Sequence, residues 1–154
     1  MRKLFRLSPA FRGTGGQVKF ISADWQELHL RLPLNLRTRN YVGTIYGGSI
    51  YGAANPIYML MLIQILGPDY VVWDKAATVR FRKPGTEAMY SRFVLTEEEI
   101  ADIKTAVAEQ GAIDRDYHNV YTDRQGAKVY AEITTTVYIA DKAYYKAQRN
   151  KRKE

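Results

Sequence analysis

The sequence predicts a mixed α+β domain in which a curved antiparallel sheet wraps around one long central helix. Three observations carry that prediction. The run Ser49–Leu66 is almost entirely small or apolar, as suits a helix buried on every side. The segments after it alternate with period two, as strands with one covered face do. Between them, Thr96-Glu97-Glu98-Glu99 has the capping-box pattern that opens a surface helix. A sheet beside an all-apolar helix buries it most simply by curving around it.

Taken in order, residues 1–16 read as a lead-in ending in the Gly13–Gly16 turn cluster. Gln17–Leu34 reads as a long strand broken at Ser22-Ala23-Asp24, where a bulge or a hairpin turn fits, and Asn35–Thr44 as a polar loop. Gly67-Pro68 ends the apolar helix. Tyr70–Lys83 is the next strand, with Val71, Trp73, Ala77, Val79 and Phe81 on one parity and Asp74, Thr78, Arg80 and Arg82 on the other. Pro84-Gly85 turns the chain into a strand at Ala88–Leu95. The capped helix runs to about residue 109 and closes at Gly111. Asp114–Thr122 and Ala127–Ile139 form a last hairpin around Asp123-Arg124-Gln125-Gly126. About five strands result, in one domain over 1–154 with its core at about 17–139 and a basic tail at 142–154. A sheet of that size has edges to protect, and pairing two copies edge to edge would do so.

Composition narrows the function classes. At 154 residues, 46% apolar and 12% aromatic, the chain can bury a core without staples. It has no cysteine, which excludes disulfides, thiolate metal ligands and cysteine nucleophiles and fits a reducing cytoplasm. No apolar signal segment follows the N-terminal charges, and the ten-residue run Ile57–Leu66 is short for a membrane span, so a cytoplasmic protein with no membrane span is expected. The net charge of +7 sits largely at the ends: Arg2, Lys3, Arg6, Arg12 and Lys19, then Lys142, Lys146, Arg149, Lys151, Arg152 and Lys153. The bland reading is a solvated tail; no nucleic-acid motif accompanies it, so no specific nucleic-acid partner is expected.

The segment Asn40-x-x-Gly43-x-x-Tyr46-Gly47-Gly48, followed by a helix, resembles the N-x-x-G-x-x-H-G-G segment of hotdog-fold acyl-CoA thioesterases of the phenylacetate-pathway type. Val79–Gly85 (VRFRKPG) resembles that family's strand ending in F-x-[RK]-P. YGGSIYGAANPIYMLML together with VVWDKAATVRFRKPG is similar to an uncharacterised, thioesterase-like branch of the hotdog proteins, and the likeness covers about 17–139. The resemblance implies a hotdog fold, a homo-oligomer (dimer or tetramer), and an acyl-CoA or acyl-carrier thioester as substrate, with no further cofactor and no metal. It implies catalytic roles for Asn55 and Asn40 and a substrate-framing role for Tyr46; the chemistry of the residues themselves adds Gly48 as a catalytic candidate and Gly47, Ser49, Asp74 and Arg82 as substrate-binding candidates. In the family, a histidine stands at the Tyr46 position and a base or nucleophile, Asp or Glu, at the Asn55 position. Asparagine cannot take a proton from water, and losing a general base commonly costs about 10²- to 10⁴-fold. A non-catalytic acyl-thioester or lipid-binding module is therefore the alternative to a thioester hydrolase.

Elementary chemistry points to the same place. A helix opening near Gly48-Ser49 presents unpaired N–H groups and a positive dipole end. A thioester carbonyl placed there would have its developing oxyanion held by the amides of Gly47, Gly48 and Ser49, at about 3 kcal/mol per donor. Paired glycines making a tight turn would look the same. Asn55-Pro56 would serve as a helix start, yet the continuous apolar character and Gly52, four before the proline, favour a long kinked helix. Asp74 beside Lys75 reads either as a structural ion pair or as a group at the mouth of an acyl channel. Arg37, Arg39, Arg80, Arg82 and Lys83 are candidates for coenzyme A phosphates, or ordinary surface charges. His29 and His118 have no metal-ligand spacing.

Overall fold

The computed structural model describes residues 8–151. The first element among the described residues is a short helix, α1 (Pro9–Thr14), where the sequence suggested only a lead-in. Its signal is Ser8-Pro9: the Ser8 hydroxyl accepts from the Phe11 N–H, and the proline fits the first helical turn. Strands β1 (Gln17–Ile21) and β2 (Glu27–Leu32) then form a hairpin, so the break at Ser22–Asp24 is a turn. Within it the Glu27 N–H donates to Ser22 Oγ, and Trp25 is buried at a φ of 63°.

The central helix has two segments, α2 (Gly47–Ala54) and α3 (Pro56–Leu66). Asn55 joins them with helical dihedrals, and its N–H donates to the Tyr51 carbonyl at 2.9 Å, so the path is one long helix broken at Pro56. Proline has no N–H for the Gly52 carbonyl, which is the source of the break. Gly47–Leu66 is 20 residues long and contains an 18-residue stretch of mean hydropathy 1.4, long and apolar enough to cross a membrane. The ten-residue run considered above understates it. In this fold it is the core helix, with Ile57, Met61 and Leu62 fully buried against the sheet.

The remaining elements are β3 (Tyr70–Phe81), β4 (Met89–Val94), α4 (Glu97–Gln110), β5 (Ala112–Thr122), β6 (Val129–Asp141) and α5 (Lys142–Lys151). The sheet has six antiparallel strands in the order β1-β2-β4-β5-β6-β3. Leu28, Leu30 and Leu32 from β2, Met89 and Phe93 from β4, and Ile133, Val137 and Ile139 from β6 supply the buried lining around the helix. Apolar burial of this kind contributes about 25 cal/mol per Å² and dominates the fold's stability.

The capping box of α4 forms only in part. Thr96 Oγ accepts from the Glu99 N–H at 3.2 Å, but the Glu99 carboxylate instead accepts from the Tyr117 hydroxyl at 2.9 Å. The expected basic tail is helical as far as Lys151. Tyr144 of α5 lies over Gly111, and Tyr145 meets Trp73 edge to face at 5.0 Å. Arg2, Lys3, Arg6, Arg152 and Lys153 lie outside the described residues.

Candidate functional site

The N-terminus of α2 is held from both sides. Its N-cap, Tyr46, donates its N–H to the Thr38 carbonyl at 2.7 Å, and the Ile45 N–H donates to the Gly85 carbonyl at 2.9 Å. The segment Asn40–Gly48 and the segment Val79–Gly85, far apart in sequence, are thereby hydrogen-bonded together. Between them lies an open cleft of about 420 Å³, lined by Thr44, Ile45, Gly47, Ile50 and residues 81–85.

The paired glycines are required by close approach, since neither has a positive φ. A Cβ at Gly48 would come within 2.3 Å of the Tyr46 ring, and one at Gly47 within 3.0 Å of the Phe81 ring. The Ser49 and Ile50 N–H groups both donate to the Tyr46 carbonyl, at 3.0 and 3.2 Å. Ser49 is therefore not an available donor, contrary to the expectation for its amide, and its residue is buried. The N–H groups of Gly47 and Gly48 make no hydrogen bond among the described residues and remain to meet a ligand.

Asn55 stands seven residues after Gly48, so the two share one helix stripe about 10 Å apart. Its Oδ1 accepts from the Tyr51 hydroxyl at 2.7 Å. It lines a second cleft of about 450 Å³, with Phe11, Thr14, Gly52 and Leu60, where α1 crosses the helix break. Asn40 is committed to its own loop: Oδ1 accepts from the Val42 and Thr44 N–H groups, and Nδ2 donates to Thr44 Oγ1 at 3.0 Å. It shapes the loop that carries Tyr46. Arg82 reaches the cleft and pairs with Glu132 at 2.7 Å. Arg37 and Arg39 are exposed on the loop before Tyr46, and Arg80 and Lys83 at the end of β3.

Asp74 departs most from its expected setting. A bulge between Asp74 and Ala76 shifts the register of β3 against β6. Asp74 pairs with Val137, Ala77 with Thr135, Val79 with Ile133 and Phe81 with Ala131, all buried partners. Opposed residues share a face, so Asp74 points inward with Val79 and Phe81 instead of outward with Thr78 and Arg80. Lys75, at the bulge, pairs with Asp114 at 2.6 Å, which removes the Asp74–Lys75 ion pair. One carboxylate oxygen of Asp74 is buried without a partner among the described residues, and desolvation raises its pKa from 3.8 to about 6. Within one chain it does not join the other site residues. The seven steps from Asp74 to Phe81 span roughly 20 Å of strand.

Neither histidine belongs to the site. His29 pairs with Glu27 at 2.6 Å, and His118 lies 3.2 Å from Thr134 Oγ1.

A curved antiparallel sheet around a long central helix defines the hotdog fold, and the chain has that fold. The chain belongs to the DUF4442 family, a domain of unknown function, whose model matches residues 1–139. No curated protein matches it. Among solved structures it is similar to a Pseudomonas aeruginosa protein of unknown function, termed a probable thioesterase. The TM-score is 0.79 at 23% identity, covering 91% of this chain and 93% of that one. A Chlorobaculum tepidum protein of unknown function follows at 0.73 and 16%, with 91% of each chain covered. A Haemophilus influenzae thioesterase gives 0.66 and 14%, covering 91% of this chain and 87% of that one. These likenesses establish a thioesterase-like hotdog architecture, and at such identities they carry the fold alone.

Proposed function

We propose that this protein binds an acyl thioester of coenzyme A or of an acyl carrier at the N-terminus of α2 and hydrolyses it. The observation that carries the reading is the pair of N–H groups at Gly47 and Gly48 that have no partner among the described residues, at a helix N-terminus where Gly47 lines an open cleft. The thioester carbonyl accepts from these two groups, the acyl chain follows the cleft past Ile50 and Phe81, and Arg82, Lys83 and Arg39 attract the carrier's phosphates. Tyr46, the exposed N-cap of α2, stands beside the carbonyl, whereas Asn55 lies about two turns further along the helix on the second cleft, where its amide is available to the substrate's more distant parts. No cofactor beyond the substrate's own carrier enters the scheme, and the protein works in the cytoplasm.

The working unit is a homodimer. Strand β3 is a sheet edge of 12 residues, whereas the opposite edge, β1, has five residues and a register shift. Lys75, Ala76, Ala77 and Thr78 are exposed in succession, and Trp73 and Phe81 are 39% and 57% exposed. A long edge with exposed rings calls for a second chain.

The alternative of a binding module without chemistry draws on Asn55, which offers no carboxylate on the helix. A panel of acyl-CoA thioesters of different chain length separates the two readings. Ligand at about 100 times its Kd stabilises a protein by about 2.7 kcal/mol, or roughly 5–10 °C for a chain of this size. Stabilisation with turnover supports hydrolysis, and stabilisation without turnover supports the binding module. Neither stabilisation nor turnover across the panel refutes both.

A further inference from the structure

The cleft at Gly47 has hydrogen-bond donors and cations but no carboxylate among its lining residues. Asp74 is an inward-facing carboxylate with a buried oxygen that has no partner among the described residues, and it lies seven strand positions from Phe81 at the cleft. Both features lie along β3, the edge that the proposed dimer would cover. We propose that the base of this site is supplied in trans: two chains pair antiparallel along β3 about a two-fold axis at Thr78, and the Asp74 carboxylate of each serves the α2 N-terminus of the other. The inference rests on the hydrolytic reading above and names the residue that completes it.

The register follows from the faces of β3. Val72, Asp74, Ala77, Val79 and Phe81 face inward, while Trp73, Ala76, Thr78 and Arg80 oppose Tyr138, Thr136, Thr134 and Glu132 on the outer face. A continuous inter-chain ladder has to match inner residues with inner ones. An axis at Thr78 sets Thr78 against itself, Ala77 against Val79 and Ala76 against Arg80. Beyond the bulge it sets Asp74 against Phe81 and Trp73 against Arg82. Every pair within β3 shares a face, and small residues meet at the centre. An axis at Arg80 would instead oppose two guanidinium groups directly.

Phe81 is the link to the site, because its ring lies against Gly47. A carboxylate opposite Phe81 on the inner face stands roughly 5 Å from it, strand to strand. That brings it beside the neighbouring chain's helix N-terminus, across one aromatic ring. The bulge at Lys75 thereby acquires a purpose: without the extra residue, Asp74 would point outward. In the hydrolytic step, the carboxylate takes a proton from water as the water oxygen bonds to the thioester carbon. The carbonyl oxygen becomes an oxyanion held by the Gly47 and Gly48 N–H groups. Collapse breaks the C–S bond, and the proton passes to the departing thiolate, leaving a carboxylic acid and a free thiol.

Two measurements on the full chain test this. Thr78→Cys introduces the first cysteine into a cysteine-free protein, and oxidation is expected to trap most of it as a covalent dimer. A residue on the axis faces its own copy at disulfide range. A monomer that cannot be trapped, or trapping at Ala77→Cys in place of Thr78→Cys, would overturn the register. The second measurement uses mixed dimers. Asp74→Asn and Gly48→Val are each expected to fold, by circular dichroism, and to lose about 10²-fold or more of kcat on the best acyl-CoA. Asp74→Asn should leave KM within about threefold, as loss of a group acting only in the transition state does. Refolding the two variants together restores one intact site in each mixed dimer, so activity should recover to roughly a quarter of wild type. No recovery, with the wild type active, overturns supply in trans and leaves hydrolysis standing. A wild type that turns over no acyl-CoA overturns the hydrolytic reading itself, and the base role with it.

Discussion

Replacing Asp74 with asparagine has a consequence for stability that can be worked out without knowing the substrate. Desolvation raises this carboxyl from 3.8 to about 6 in the folded chain, so the folded state holds the proton more tightly than the unfolded state. Below about pH 4 the group is protonated in both states and costs nothing. As pH rises from about 4 to about 6 the unfolded chain releases its proton first, and stability falls. Above about 6 the whole cost is present. Two pKa units correspond to about 3 kcal/mol, and because the carboxyl is only half buried, solvent screening reduces this to about 1–2 kcal/mol. Asparagine is neutral throughout and keeps the shape.

Asp74→Asn is therefore expected to be more stable than the parent by about 1–2 kcal/mol at pH 8 and to match it near pH 4. Urea midpoints for both proteins at each pH, with unchanged m-values, give the difference. The protein concentration has to be equal in all arms, since a dimer's apparent stability depends on it. Taking the difference between variant and parent cancels groups titrating in the other direction. Glu27, held down at about 2 by Arg92 and His29, is one of these. A variant less stable than the parent at pH 8 would refute the reasoning, because the carboxylate would then be paired and stabilising. Parallel pH profiles would refute it too.

Three further substitutions test the scaffold. Gly111→Ala should cost about 1–3 kcal/mol, because the residue sits at φ 79° and a Cβ would come within 2.3 Å of the Tyr144 ring; the urea midpoint measures it, and a neutral result would mean that α5 does not dock there. Tyr121→Phe should raise stability by up to about 1 kcal/mol, since its hydroxyl is buried without a protein partner among the described residues; a loss above 1 kcal/mol on thermal unfolding would show a partnered hydroxyl. Thr96→Ala removes the N-cap of α4 and should cost about 1 kcal/mol, while Thr96→Ser should restore most of it in the same assay.

The architecture was legible because it follows from periodicity and capping, which are local. Eighteen residues that are almost all small or apolar, ending at Gly67, suit a helix covered on every side, and the strands from Tyr70 to Asp141 declare themselves by alternation. The misses at the chain ends were of another kind: α1 is a single turn and a half announced only by Ser8-Pro9, and α5 has no buried residue to give it a pattern. The site was half legible. Asn40–Gly48 and Val79–Gly85 do converge, through the Ile45–Gly85 hydrogen bond, and Gly47 and Gly48 are glycines for a reason that composition cannot reveal, the two rings above them. Asp74 was the failure that matters. Period-two reading put it on the outer parity with Thr78 and Arg80, and that was sound for an unbroken strand. The bulge at Lys75 inserts one residue, and one residue is enough to exchange the two faces of everything before it. The only trace in the sequence is the interruption itself: an Asp-Lys pair set into an apolar strand, where the acid gains nothing by facing water. A carboxylate turned inward at such a break carries a desolvation cost that the fold alone gives no reason to bear. The Asp74→Asn stability profile measures that cost, and the mixed dimer measures what is obtained in return.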